Sequence, residues 1–299
     1  VSTSIDDATS VSERPVPLVA SRPRRLHDDP VTKIRPAKFW EAIDLSELWE
    51  HRELLYFLIW RDLKVRYKQT MIGAAWVLLQ PILMTVVFAV FLGRLMHAPS
   101  DGVPYPIFAY SAMLLWTFTS TAVLSSSYSL VTNSQTITRI YFPRLVLPIS
   151  SIGVRLFDFL IASLVLIAFM IHYGMRIGWG AMMLPLLIVQ MAALATAVGV
   201  LAAALYVRYR DIGTLLPIAL QAWMFISPTV YSVSVVPQRF RIVYSLNPLV
   251  GIMTGFRAAL FNLPFDWTSI SVSAGVTLFL LALSVQIFQM MDNSFADEV

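Results

Sequence analysis

The chain contains no cysteine, which removes disulfide frameworks, cysteine-ligated metal sites and thiol nucleophiles together. Lysine is almost as scarce. Lys33, Lys38, Lys64 and Lys68 are the whole set, and they follow Thr32, Ala37, Leu63 and Tyr67, never a glycine. A P-loop needs a Gly-Lys pair, so that bare backbone cradles phosphate while the amine reaches its outer oxygens. The chain therefore carries no nucleotide-hydrolysing motif of that kind. His27, His51, His97 and His172 lie far apart and form neither an HxxxH nor an HExxH ligand pair. Charge is also sparse: 13% of residues are charged, against about 25% in soluble domains.

What fills the chain instead is apolar. Of 299 residues, 57% are hydrophobic, and the mean hydropathy is +0.69. Crossing a hydrocarbon core takes roughly 20 apolar residues. Six stretches meet that length, near Met71–Leu92, Ile107–Val131, Leu145–Ile171, Ala181–Val207, Ile212–Val233 and Thr268–Met290. The expected fold class is all-α: a polytopic membrane protein with six transmembrane helices, both termini lying on one side.

The segments outside the spans suggest the rest of the organisation. Residues 1–40 are rich in Pro, Ser and Arg and lack the apolar core of a signal peptide. They read as a disordered cytoplasmic tail, too polar to offset the entropy of ordering. Residues 41–70 read as an amphipathic interfacial helix, opened by the capping-box pair Asp44 and Glu47. Leu45, Leu48, Leu55, Ile59 and Leu63 fall near one face, and Trp49, Tyr56, Trp60 and Tyr67 suit headgroup level. The six-span domain covers 71–291, and 292–299 form a cytoplasmic carboxy-terminus. Between the last two spans, Leu249–Leu260 is apolar but too short to cross, which suggests an outer re-entrant hairpin.

Basic residues set the expected orientation. Arg52, Arg61, Lys64, Arg66 and Lys68 flank the first span, Arg139 and Arg144 lie in the second loop, and Arg208 and Arg210 lie in the fourth. By the positive-inside rule these face the cytoplasm, giving a multi-pass protein of the cell (inner) membrane with both termini cytoplasmic. The net charge of +4 is placed to meet anionic lipid headgroups rather than nucleic acid.

Few polar groups enter the spans. Arg155 and Asp158 stand at i and i+3 on one helix, where mutual pairing lowers the cost of burying charge. Thr117, Thr121, Ser125, Tyr128 and Thr132 are spaced to stack along one face of the second span. Such a hydroxyl stripe suits a polyhydroxylated sugar, and equally suits close packing of membrane helices. Trp76, Trp116, Trp223, Phe225 and Tyr231 can stack on sugar rings or mark the membrane interface. The loops Arg139-Tyr141-Phe142-Pro143-Arg144 and Arg208-Tyr209-Arg210-Asp211 are short, charged and aromatic, which suits knobs in a partner's cleft and solvated turns alike. Ion-coupled carriers and membrane glycosyltransferases share the general composition, so these residues alone leave three classes open.

The run Leu58-Ile59-Trp60-Arg61-Asp62-Leu63-Lys64-Val65-Arg66-Tyr67-Lys68-Gln69, followed by Gly73, Trp76, Gln80 and Pro81, resembles the ABC-2 permeases of polysaccharide exporters. Phe142-Pro143-Arg144-Leu145, Pro148, Tyr209-Arg210-Asp211-Ile212, Ser227-Pro228, Tyr231, Asn247-Pro248-Leu249, Arg257 and Phe295-Ala296-Asp297 extend the resemblance from about residue 45 to the end. Members of that family export O-antigen, teichoic acid and capsule chains. The resemblance implies a homodimer, two copies of a separate ATP-binding subunit that holds ATP and Mg, and no cofactor in this chain. It makes Arg139, Tyr141, Phe142, Pro143, Arg144, Arg208, Tyr209, Arg210 and Asp211 the ATPase-coupling residues. Charge position then puts the anionic headgroup of a lipid-linked polysaccharide near Arg61, Lys64, Arg66 and Lys68. Thr117, Thr121, Ser125, Tyr128, Trp116, Trp223, Phe225 and Tyr231 become candidates for the channel lining.

Overall fold

The computed structural model describes residues 49–68, 75–139 and 142–292, without the side chains of Thr136, Thr138, Arg139 and Asp292. The amino-terminal tail, the Asp44–Glu47 capping box, Tyr141 and the carboxy-terminal residues 293–299 lie outside them. Among the described residues every regular element is helical and no strand occurs. The α-helices are α1 (Arg52–Lys68), α2 (Ala75–Phe88), α3 (Tyr105–Thr132), α4 (Ser134–Arg139), α5 (Val146–His172), α6 (Leu184–Arg208), α7 (Ile212–Ile226), α8 (Arg241–Ser245), α9 (Pro248–Phe261) and α10 (Trp267–Asp292). A π-helix, Ala89–Leu95, continues α2, and a 3-10 turn, Trp179–Met183, leads into α6.

Five of these stretches are long and apolar enough to cross a membrane: Ala75–Leu95, Tyr105–Thr132, Val146–His172, Trp179–Arg208 and Trp267–Met291. They coincide closely with five of the six predicted spans. The remaining one, Ile212–Val233, is helical only over the 15 residues of α7. Pro228 is the reason: it disfavours helical backbone at the residue before it, and Ser227 turns extended at φ −91° and ψ 155°. At 1.5 Å per residue α7 rises about 22 Å.

The bundle is organised around α3, of whose apolar central stretch 78% of the residues are buried, against 11% in the first span. Its close neighbour is α6, and small residues set the approach. A Cβ at Gly199 of α6 would sit 2.7 Å from the Ser126 side chain of α3, so glycine lets the two backbones come together. The first span lies outermost, with Leu83, Val86, Val87, Val90 and Phe91 exposed.

Two groups of contacts mark the two ends. At one, Leu58 of α1 packs with Leu130 at the end of α3, Phe142, Val146 at the start of α5, Val207 at the end of α6 and Phe288 of α10. Residues 142–144 and the loop 208–211 lie at this end. At the other end Tyr105 donates to the Val230 carbonyl at 2.6 Å, and Asn262 donates to the Arg176 carbonyl at 2.7 Å.

Helix α9 is short but almost wholly inside, with 13 of its 14 residues buried. Its ends are encoded locally. Asn247 accepts from the Leu249 amide as N-cap, Pro248 occupies N1, and Asn262 closes the helix in the left-handed region at φ 55°. Gly251 lets α9 press on α10: a Cβ there would lie 2.2 Å from the Ser269 carbonyl oxygen.

Candidate substrate-handling site

The polar core of the molecule is centred on Asp158, which is 8% exposed. Three groups from two helices converge on its carboxylate. Tyr67 of α1 donates at 2.6 Å, Arg66 of α1 sits at 3.1 Å, and Arg155, one turn earlier on α5, sits at 3.4 Å. The i, i+3 pair expected from the sequence therefore exists, but it is the longest of the three contacts. Arg155 directs its Nε to Ser125 Oγ of α3 at 2.8 Å, so α1, α3 and α5 are joined through one cluster. Burial, followed by the hydrogen bond to Asp158, raises the pKa of Tyr67 and keeps its hydroxyl a donor. Gly153 permits this docking, since a Cβ there would meet Ile59 of α1 at 2.6 Å.

The four residues expected at a headgroup do different things. Arg61 pairs with Asp62 at 2.8 Å and reaches Asn133 at the end of α3 at 3.4 Å. Lys64 lies 5.3 Å from the centroid of the Trp60 ring. Arg66 turns inward to Asp158, while Lys68 is exposed. Tyr56 and Trp60 are exposed along α1 and Trp49 just ahead of it, as headgroup anchors would be, but Tyr67 points into the bundle.

The residues expected to line a channel separate into four places. Thr117 and Thr121 line a cavity together with Trp76, Arg66, Arg155 and Asp158. Ser125 is the acceptor for Arg155. Tyr128, one turn further on, donates to the Gly213 carbonyl of α7 at 2.8 Å and packs edge-on against Tyr206 at 5.2 Å. Trp116 is buried and meets Trp223 edge-on at 6.3 Å, and Trp223 donates to Asn247 at 2.9 Å. Phe225 and Tyr231 flank a second, apolar cavity at the other end, with Val87, Phe88, Phe91 and Leu92. The stripe read from helical spacing is thus a real face, of which Thr117, Thr121 and Ser125 border cavities while Tyr128 is taken up by Gly213 and Tyr206.

Both loops expected to couple to a partner leave the same end. Phe142 is an anchor there, packed in the cluster around Leu130 and Val146 rather than projecting. Arg208, Tyr209, Arg210 and Asp211 are all exposed. Arg208 stacks over Tyr209 at 5.5 Å and Arg210 over Tyr206 at 5.8 Å, contacts worth about 0.5–1 kcal/mol each at an exposed site.

Arg257 is a residue to which the sequence assigned no role. It is 4% exposed and donates to the carbonyls of Pro228 at 2.8 Å, Thr229 at 3.0 Å and Phe108 at 3.2 Å. Its guanidinium lies 3.5 Å from the Phe108 ring centroid. One side chain thereby ties α9, the turn that ends α7, and the start of α3. In the sequence it stood out as an arginine inside a short apolar run and as one of the positions that carry the family resemblance.

Long apolar helices packed around a buried central one, with a charged network at one end, define a polytopic membrane protein. Residues 53–261 match the ABC-2 type transporter family, and the chain belongs to that family. It is 27% identical over 260 residues to the O-antigen export system permease protein RfbA of Myxococcus xanthus, covering 85% of this chain and 98% of that protein. A protein of the same description from Klebsiella pneumoniae is 26% identical over 251 residues, covering 82% of this chain and 94% of that one.

Proposed function

We propose that the chain is the permease subunit of an ATP-binding cassette exporter that moves a lipid-linked polysaccharide, of the O-antigen, teichoic acid or capsule type, from the cytoplasmic to the outer face of the cell membrane. The observation that carries this reading is similarity to O-antigen export permeases along nearly their whole length. ATP and Mg are held by a separate subunit, present in two copies. The permease itself is a homodimer, and it makes and breaks no covalent bond.

Several features support the finer parts. The six-span topology is favoured by the path of α7. Gly213, at its start, meets Tyr128 and Tyr206 near the loop end, whereas Thr229, three residues beyond its end, meets Arg257 beside Phe108. Phe108 and Tyr128 are separated along α3 by about 30 Å of rise, so α7 and its turn together travel the depth of the bundle. The re-entrant reading of 234–267 is favoured by the burial of α9 and by Pro248, whose carbonyl accepts from Ser273, almost two turns into α10. The bare outer face of the first span suits a second copy or lipid. On this reading the coupling surface is the exposed segment Arg208–Asp211 together with the loop from Arg139 to Arg144, and both contacts and both termini are cytoplasmic, as the positive-inside rule favours. Exposed Trp49, Tyr56 and Trp60 suit an interfacial α1, with Lys64 and Lys68 at the headgroup surface.

The test is reconstitution. Vesicles holding the chain and its ATP-binding partner should take up labelled lipid-linked polysaccharide only when ATP is hydrolysed. Transport by the chain alone, or transport that follows an ion gradient without ATP, overturns the proposal.

A further inference from the structure

The segment 208–211 runs directly into α7, and α7 has a gap in its hydrogen-bond ladder close to that junction. Pro217 lies inside the helix. In an α-helix the carbonyl of residue 213 takes the amide of residue 217, and proline has no amide to give. The proline ring also pushes that carbonyl aside. Gly213 therefore presents a carbonyl without its helical partner, a costly group wherever water is excluded. Tyr128 of α3 fills the place: its hydroxyl donates to the Gly213 oxygen at 2.8 Å. The surroundings of this joint are tight. A Cβ on Gly213 would lie 2.6 Å from the Tyr206 ring. Tyr206 meets Tyr128 edge-on at 5.2 Å, and Arg210 of the segment 208–211 lies over the same Tyr206 ring at 5.8 Å.

Beyond the gap, α7 is held loosely along its length and firmly at its far end. Leu220 is the one buried residue of its 15, while Leu215 and Ile218 are exposed. Trp223 donates to Asn247 at 2.9 Å, and Arg257 clamps the turn that follows through the carbonyls of Pro228 and Thr229. A helix gripped at both ends, with one rung missing near the first, bends at the missing rung. We propose that Gly213–Pro217 is the hinge through which the segment 208–211 moves α7, and that Tyr128 is the positioning residue whose hydroxyl holds this hinge at its resting angle. The drive to the hinge rests on the exporter reading given above; the joint itself does not.

The experiment combines two substitutions that act on the joint in opposite ways. Tyr128→Phe keeps the ring against Tyr206 and removes only the hydroxyl, whereas Pro217→Ala restores the missing amide and closes the ladder. Hydrogen exchange on the full chain alone, in detergent, reads the joint itself. Amides between 214 and 220 should exchange about fivefold faster in Tyr128→Phe, as loss of one hydrogen bond implies, and more slowly than wild type in Pro217→Ala. Unchanged exchange in Tyr128→Phe overturns the grip. In vesicles with the ATP-binding partner and labelled lipid-linked O-antigen, both variants should hydrolyse ATP yet move at least about fivefold less polysaccharide per ATP. Pro217→Ala should do so while its thermal midpoint rises, which loss of structure would not produce. A merely structural tyrosine gives a different pattern. The double variant, whose restored amide satisfies Gly213, would then transport normally; a required hinge leaves it as impaired as Pro217→Ala. Wild-type transport per ATP by any of the three variants overturns the proposal, and Pro217→Ala alone decides it should Tyr128→Phe fail to fold. Absence of ATP-driven transport in the wild type defeats the exporter reading instead, and exchange on the chain alone still decides whether Tyr128 holds the joint.

Discussion

Tyr67 donates its hydroxyl to Asp158 across 2.6 Å, fastening a helix that precedes the first span to the third span. A hydrogen bond to a charged group contributes about 1.5–3 kcal/mol. Tyr67→Phe keeps the ring packing against Phe157 and removes only that bond. Amides of 52–68 should then exchange faster with solvent in detergent, while those of α3 stay protected. Equal protection of α1 in both proteins would show that apolar docking at Leu58 and Leu63 suffices.

Asp158→Asn should be more damaging than Tyr67→Phe, because two guanidiniums lose their shared carboxylate in a buried place. Breaking a buried pair by removing one partner costs about 3–5 kcal/mol. Partial exposure of Arg66 places the expected loss toward the low end. The check is the thermal midpoint in detergent, expected to fall furthest for Asp158→Asn.

Arg257→Lys keeps the charge but offers one ammonium where three carbonyls are now met by a fork. Unpaired buried carbonyls cost about 1–3 kcal/mol each. Both Arg257→Lys and Arg257→Met should loosen the turn at 227–230, and limited proteolysis should cut there first. Cleavage confined to other loops would argue against the clamp.

Three glycines form a graded series. At Gly251 an added Cβ meets backbone oxygen, at Gly199 it meets the Ser126 side chain, and at Gly275 it meets nothing within 4 Å. Gly251→Ala should therefore prevent correct packing of α9 on α10, Gly199→Ala should lower stability moderately, and Gly275→Ala should be neutral or gain about 1 kcal/mol from helix propensity. Yields of monodisperse protein should follow that order.

If Arg208–Asp211 meets the ATP-binding subunit, then Tyr209→Ala with Arg210→Ala should uncouple hydrolysis from transport in reconstituted vesicles while the chain still folds and inserts. Transport at the wild-type rate per ATP would move the contact elsewhere.

How far the sequence could be read follows from how local each signal is. Apolar length is local, and five spans stand within a few residues of where hydropathy put them. Helix α7 ends early because Pro228 acts on Ser227, and a hydropathy window averages over that single backbone preference. The apolar stretch Leu249–Leu260 was legible, and it lies within α9, whose ends are set locally by Asn247-Pro248 and Asn262, capping signals to which the sequence reading gave no role. The site was legible only in fragments. Spacing put Thr117, Thr121 and Ser125 on one face, and Arg155 within reach of Asp158. Nothing in spacing shows that Arg66 and Tyr67, about ninety positions away, complete the same cluster, since that depends on how α1 docks. Likewise the aromatic set looked uniform, while packing buried Trp116 against Trp223 and left Phe225 exposed.

The π-turn at Ala89–Leu95 carries one residue more than an α-helix of the same rise needs. Each residue of an α-helix advances the side-chain direction by about 100°. The extra residue therefore re-aims everything beyond it, and the tight seat of Gly93 on the Tyr105 ring belongs to that altered phase. Removing a single position such as Val90 would restore ordinary winding and leave the outer tip of the first span facing as it does now, whereas winding the same residues as unbroken α-helix would swing that tip by roughly a quarter of a circle or slightly more, carrying Ala98 away from the apolar chamber beside Phe225.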